Sequence, residues 1–290
     1  MAKRVVELPA LNGTGGKKDK SVIFDSLAEF ADYACALRVD NKDRTRGRDW
    51  DSGQSYNDAT RLCRTGDLNK VAPSDAFMRK FEDIIGFESR QFRVVNDVAG
   101  GVPNIGAYLA GNPINMRRRA RVMSEQAPLN VVVDLVSSGG ITAKDLERRG
   151  AAVLALVRLL SAVRPVNLYA VACGLPHGVH GYTSVGFAVR IDTAPLDLAR
   201  AAHVLGSPAV PRNVMYRAMD VEAGMPHESS THWAFNDVNY YREHGAEYWQ
   251  RVLGTEECLF LAPPYVTDEA ISDPEKFIRD KLAKYGTASL

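Results

Sequence analysis

Asp134 closes an apolar run of Val131, Val132 and Val133, and Ser137, Ser138, Gly139 and Gly140 follow almost at once. A carboxylate and two hydroxyls therefore gather where a strand ends, which is where open α/β sheets bind their ligands. Such groups could hydrogen-bond a partner directly, helped by the backbone of Gly139 and Gly140. Ser138 beside Asp134 also hints at hydrolysis, but a serine hydrolase needs a nucleophile elbow of the form GxSxG, and none is present. Histidines offer a second chemistry, with His177 and His180 in CGLPHGVHGY and His227 and His232 in GMPHESSTHW. Zinc ligation needs three or four such groups converging on one point. The spacing HExxH is absent, so these read as loop histidines. A third feature is the compact basic cluster Arg117, Arg118, Arg119 and Arg121, whose forked donors could hold phosphate. The plainer reading of that cluster is a solvated helix face or a subunit contact. Lastly, Trp233, Phe235, Tyr240, Tyr241, Tyr248 and Trp249 crowd one segment. Aromatics that dense could stack bases or form a protein-binding hot spot, although packing explains them as well.

The elements that would position these groups are written most clearly over residues 130–174. There an apolar strand, a polar loop, a long helix and a second strand make one βαβ unit. Thr142 followed by Asp145 supplies a cap and a negative charge at the helix start. Leu146, Val153, Leu156, Val157, Leu160 and Val163 form a stripe wide enough to cover a sheet. Residues 182–191 alternate polar and apolar side chains and read as an edge or half-exposed strand, and residues 196–205 read as a helix. Residues 258–262 read as a last strand and 274–285 as a terminal helix with Phe277, Ile278 and Leu282 inward.

Upstream, the spacing of Phe24, Leu27, Phe30, Ala31 and Ala34 predicts a helix over about 26–37. Ser55 caps a second, which Gly66 stops, and a third runs from about 73 to 85. Residues 91–98 read as a strand. Residues 98–116 are broken by Gly100, Gly101, Gly106, Gly111, Pro103 and Pro113 into an irregular stretch. That stretch lacks both GxGxxG and GKS/T, so it reads as a folded loop and not a phosphate cradle. Residues 1–23, rich in glycine and lysine, read as a flexible tail.

Composition sets outer limits. The chain has 290 residues, 46% of them hydrophobic and 24% charged, as in an ordinary soluble globular protein. Its 36 basic and 35 acidic residues leave a net charge of +1, so no global field draws it to nucleic acid or to an anionic membrane. The cysteines at 35, 63, 173 and 258 are far apart and form no CxxC pair, which points to a reducing compartment. No apolar run approaches a membrane span or a signal peptide.

Two resemblances follow from particular residues. Trp50 with Gly53, then Gly100, the run Tyr108-Leu109-Ala110-Gly111 with Pro113 and Met116, and the run Arg148-Arg149-Gly150-Ala151-Ala152-Val153 resemble an uncharacterised family of tailed-bacteriophage and prophage proteins. That resemblance covers about 24 to 280 and implies a phage origin more than an activity. The centre more distantly resembles the von Willebrand factor A-type (vWA) domain of metal-chelatase subunits and adhesion proteins. Asp134 and Ser138 match the first and last positions of that family's Asp-x-Ser-x-Ser motif, whereas Val136 stands where the middle serine belongs. The resemblance implies a degenerate Mg²⁺ site on Asp134 and Ser138, with Thr193 as the later threonine. Because a hard cation needs near-octahedral oxygen ligation, the missing hydroxyl leaves water or Ser137 to compensate.

Taken together, these readings predict an α/β protein, a three-layer vWA-like (Rossmann-like) sandwich with a mostly parallel central sheet. Residues 126–290 form that domain, and residues 24–125 form a helical and irregular region packed on it. The expected function is binding and assembly in the host cytoplasm, with inclusion in the virion left open. A protein partner, such as a ring ATPase by analogy with chelatase subunits, would dock near Asp134, Ser137, Ser138 and Thr193, with or without a weak divalent cation. Two alternatives stay open. One is a nucleic-acid-binding protein of phage replication or packaging that uses Arg117, Arg118, Arg119 and Arg121. The other is a metal-dependent hydrolase built on Asp134 with His177, His180 or His232.

Overall fold

The structure, a computed structural model, describes residues 3–11, 17–39, 41–81, 92–121, 127–174, 182–224, 238–265 and 267–286. The chain opens with strands β1 (Lys3–Pro9) and β2 (Lys18–Phe24). Helices α1 (Leu27–Ala36), α2 (Arg48–Asp51), α3 (Tyr56–Thr65) and α4 (Val71–Phe81) follow. Next come β3 (Phe92–Asp97), β4 (Val102–Pro103), α5 (Ile105–Leu109) and β5 (Met116–Arg121). The central unit is β6 (Leu129–Asp134), α6 (Ala143–Val163), β7 (Val166–Gly174) and β8 (Tyr182–Ile191). After it come α7 (Leu198–Gly206), a π-helical turn (Val210–Met215), α8 (Tyr216–Glu222) and α9 (Val238–Leu253). The chain then forms β9 (Cys258–Leu261), α10 (Glu269–Ser272) and α11 (Pro274–Tyr285).

The main sheet has six strands in the order β1-β2-β8-β7-β6-β9. β6 pairs in parallel with both β7 and β9, and β2 pairs in parallel with β8, while β7/β8 and β1/β2 are antiparallel. β6 is buried along its whole length, as its unbroken apolar run requires of a strand covered on both faces. Helices α1, α3, α4, α6, α7, α8 and α11 place apolar side chains on one face. On the other face α9 lays Tyr241, Tyr248, Trp249 and Val252 against Ile23, Val132, Val171 and Ala188. Leu154, Leu156, Val157 and Leu160 of α6 are fully buried, each contributing about 1.5–3 kcal/mol of transfer free energy.

Local rules set most of the helix starts. Ser26 accepts from Glu29 N–H at 3.2 Å, and Thr142 from Asp145 N–H at the same distance. Ser55 and Asp58 form a full capping box. Gly150 is dictated by packing, because a Cβ there would lie 2.4 Å from the Cα of Gly206, where α6 crosses α7. The cysteines at 35, 63, 173 and 258 are free thiols. No helix among the described residues is long and apolar enough to cross a membrane.

Three expectations are corrected, and packing accounts for the buried members of the aromatic segment. Residues 3–9 and 18–24 are not a tail but two strands of the main sheet, and Lys20 Nζ ties them to Glu222 of α8 at 2.9 Å. β8 is not an edge strand, because β2 covers its outer side. Its Ser184 is buried and donates to Asp19 at 2.7 Å, and Gly186 faces Cys173, while Arg190 near the strand end is exposed. The aromatic segment becomes α9 from residue 238 onward, while Trp233 and Phe235 lie outside the described residues. Finally, the arginine cluster lies on a strand, β5, and not on a helix.

β5 belongs to a second sheet of three antiparallel strands, β3-β5-β4. This sheet and α5 make up an arm over residues 92–121 whose pairing is internal. Val94, Val98, Val102, Ile105, Tyr108, Leu109 and Ile114 are 46% to 78% exposed on it.

Candidate functional site

Asp134 stands at the carboxyl end of β6, as its place in the sequence requires, but solvent does not reach it. Its Oδ1 accepts the Val136 N–H at 2.8 Å and its Oδ2 accepts the Tyr241 hydroxyl at 2.8 Å. The Trp249 indole N–H in turn donates to that hydroxyl at 2.7 Å. Burial pushes the Asp134 carboxyl up to about 7, against the pull of the Val136 N–H, the Tyr241 hydroxyl and the Arg149 charge. The group is thus a strand-to-helix fastener, joining the sheet to α9.

Two buried guanidiniums, Arg149 and Arg212, hold the chain around this carboxylate. Arg149 of α6 donates to the Asp134 carbonyl at 3.0 Å and to the Ala262 carbonyl at 2.9 Å, and so staples the ends of β6 and β9. Arg212, in the π-helical turn, organises the loop after Asp134. It donates to the carbonyls of Trp50 at 2.7 Å and Ile141 at 2.9 Å, and to the Ser138 carbonyl and the Ser137 hydroxyl at 3.2 Å each. Its guanidinium also lies 4.3 Å from the Trp50 ring centroid. Asp51, fully buried, accepts the N–H groups of Arg46 at 2.6 Å and Gly53 at 2.9 Å, which fixes the turn carrying Trp50.

The sequence-predicted site is therefore brought together only in part. Asp134, Ser137 and Ser138 are neighbours, but Ser137 is buried under Arg212, and the exposed residues of the loop are Ser138, Gly139, Gly140 and the cap Thr142. Ser138 Oγ accepts the Gly140 N–H at 3.2 Å. Thr193 is elsewhere, donating to the Val166 carbonyl at the start of β7, whereas Asp134 pairs with Val171. At about 3.3 Å per residue, roughly 16 Å of strand separates the two rows.

The Mg²⁺ ligand set implied by the vWA resemblance does not fit these residues. A cation needs open carboxylate and hydroxyl lone pairs, whereas both Asp134 oxygens are engaged by protein donors and a guanidinium covers Ser137. Among the described residues no three His, Cys, Asp or Glu side chains are grouped to hold a metal. His177, His180, His227 and His232 lie outside the described residues.

On the arm, Arg117 and Arg118 are exposed, and Arg118 pairs with Asp97 at 2.5 Å. Arg119 and Arg121 stand opposite Val94 and Phe92 in the strand register. Sequence reasoning passed over Arg149, Arg212, Trp50 and Tyr241 as site residues, because nothing local marks them. Only an arginine at the head of an apolar run, Arg149 in RRGAAVLALV, and a lone arginine inside one, Arg212 in SPAVPRNVM, could have signalled buried charge.

Among known proteins, no curated protein and no solved structure matches this chain. One family model does, a domain of unknown function (DUF7192), over residues 11–261. The match takes in the main sheet from β2 to β9, the Asp134 fastener and the arm, and the chain belongs to the DUF7192 family.

Proposed function

We propose that this is a non-catalytic interaction protein, phage-encoded and acting in the host cytoplasm, whose arm over residues 92–121 docks on an apolar, acid-rimmed surface of a protein partner. One observation carries the reading: seven large apolar side chains of the arm, Val94 through Ile114, stand 46% to 78% exposed. Scattered exposed hydrophobics are ordinary, but a group of them on one small sheet and its helix marks an interaction surface. The partner's rim is acidic because Arg117 is exposed and has no carboxylate partner among the described residues. Complementary charge of that kind sets orientation and encounter rate.

The expected docking place moves accordingly, from the edge at Asp134 to the arm. A vWA-like architecture is supported by the run β8-β7-β6-β9, with β8 antiparallel to β7 and α6 between β6 and β7. The phage origin rests on the motif resemblance alone. A hydrolase is less well supported, since the Asp134 carboxylate is committed to Tyr241.

The test is affinity capture from infected cells with the wild-type chain, the double variant Tyr108→Ser/Leu109→Ser, and Asp134→Asn. The expected result is one partner kept by wild type and Asp134→Asn and lost by the arm variant, with purified partner binding more weakly to Arg117→Glu. A partner retained by the arm variant sinks the reading. Steeply salt-dependent binding of single-stranded nucleic acid by the arm would replace it with the phosphate-binding alternative.

A further inference from the structure

At the open edge of the main sheet, where β9 ends, the chain leaves a cavity of about 350 Å³. Val153, Phe260, Leu261 and Phe277 give it apolar walls, and Arg149, Arg242 and Lys281 bring three cations to it. Apolar walls with a few placed polar groups are the lining of a small-molecule site. The cavity also lies at the carboxyl ends of the parallel strands β6 and β9, the end at which open α/β sheets take ligands.

The charges around it are unequal in their commitments. Of the two acids at the rim, Asp268 caps α10 by accepting the Ala270 N–H at 2.9 Å, and its other oxygen lies 3.7 Å from Arg149 Nε. Glu269 is paired with Lys276 at 2.6 Å. Arg149 is bound to the Asp134 and Ala262 carbonyls, which accept hydrogen bonds but do not cancel its charge. Arg242 donates through Nη1 to the Pro263 carbonyl at 2.6 Å and lies 4.3 Å over the Tyr265 ring, so its fork is fixed in place while further N–H groups stay available. Lys281, half-buried on the same face of α11 as Phe277, has no carboxylate partner among the described residues. A partly enclosed cavity with this surplus concentrates anions.

We propose that the cavity is a binding site for a small organic anion. One carboxylate or phosphate group is held by Arg242 and Lys281, and an apolar body lies against Val153, Phe260 and Phe277. Arg149 supplies positive potential at the floor and positions the walls through the two strand ends it joins. The site is separate from the arm, and neither reading depends on the other.

Isothermal titration of the full chain with inorganic phosphate and with benzoate tests this directly. The set comprises wild type, Lys281→Glu, the milder Lys281→Met, Arg242→Gln, and Lys284→Glu as a charge-matched control outside the cavity. At least one probe saturates at a single site on wild type, at least tenfold more weakly on Lys281→Glu and Arg242→Gln, and unchanged on Lys284→Glu. Preference for phosphate or for benzoate identifies the head group. No saturable binding of either probe, or equal weakening in Lys284→Glu and Lys281→Glu, overturns the site. Circular dichroism of each variant separates loss of the site from loss of the fold, and Lys281→Met carries the test if the glutamate is not tolerated.

Discussion

The loop after Asp134 and the arm over residues 92–121 invert one another. In the loop, the groups that could do chemistry are taken out of solvent and bonded: Asp134 to Tyr241, Ser137 to Arg212, and Arg212 to three carbonyls. On the arm, groups with no chemistry of their own, Val94, Val102, Tyr108 and Leu109, are left in water. Residue type therefore announces a reactive site only where solvent and ligand can reach it, and at Asp134 they cannot. What is costly to the isolated molecule is the exposed apolar surface, and a cost kept in the folded state is where function is best sought.

The sharpest way to break this contrast is Arg212→Met. Removing the guanidinium takes the donor from one buried and two part-buried carbonyls and from the Ser137 hydroxyl, so we expect a loss of about 2–4 kcal/mol in urea unfolding. A change below about 0.5 kcal/mol, the level of an ordinary surface substitution, would mean that the loop is not held from below.

A next test concerns pH. The folded Asp134 carboxyl keeps its proton up to about pH 7, whereas the unfolded one releases it near the ordinary value of 3.8. The folded state therefore binds the extra proton between these limits, and stability falls as pH rises from about 4 to about 7, then levels off. A shift of about three units corresponds to a fall on the order of 4 kcal/mol. Asp134→Asn removes the titration, so the pH profile of its unfolding midpoint should be flatter over this window. Parallel profiles for variant and wild type would show that the carboxyl is not isolated from water.

The smallest expected effect lies on the arm. Leu109→Ser should change unfolding free energy by no more than about 0.5 kcal/mol, because the side chain is 78% exposed and packs on little. A loss of about 2 kcal/mol would place Leu109 in a core and remove it from the docking surface.

Much of the scaffold was legible because its signals are local. Caps at Ser26, Ser55 and Thr142, the stripe on α6 and the apolar runs of β6, β7 and β9 each lie within a few residues of what they determine. The errors have a common cause in distant partners. β8 looked like an edge because its polar positions alternate, but Ser184 is buried against Asp19, which is 165 positions earlier. Asp134 looked open because Tyr241, 107 positions later, covers it. β5, Met-Arg-Arg-Arg-Ala-Arg, carries no apolar alternation, so no period of two marks it as a strand.

The place of β2 in the sheet has a consequence for synthesis. Residues 18–24 are made long before their neighbour in the finished sheet, β8, at residues 182–191, in parallel pairing that no short hairpin can replace. At ordinary elongation rates the two are made on the order of ten to thirty seconds apart. Through that interval Val22, Ile23 and Phe24 have β1 as their one strand neighbour and α1 over Phe24, so the nascent chain carries a half-covered apolar strand until β8 has been made. Chaperone occupancy at residues 18–24 of ribosome-bound chains should therefore persist until residue 191 has cleared the exit tunnel.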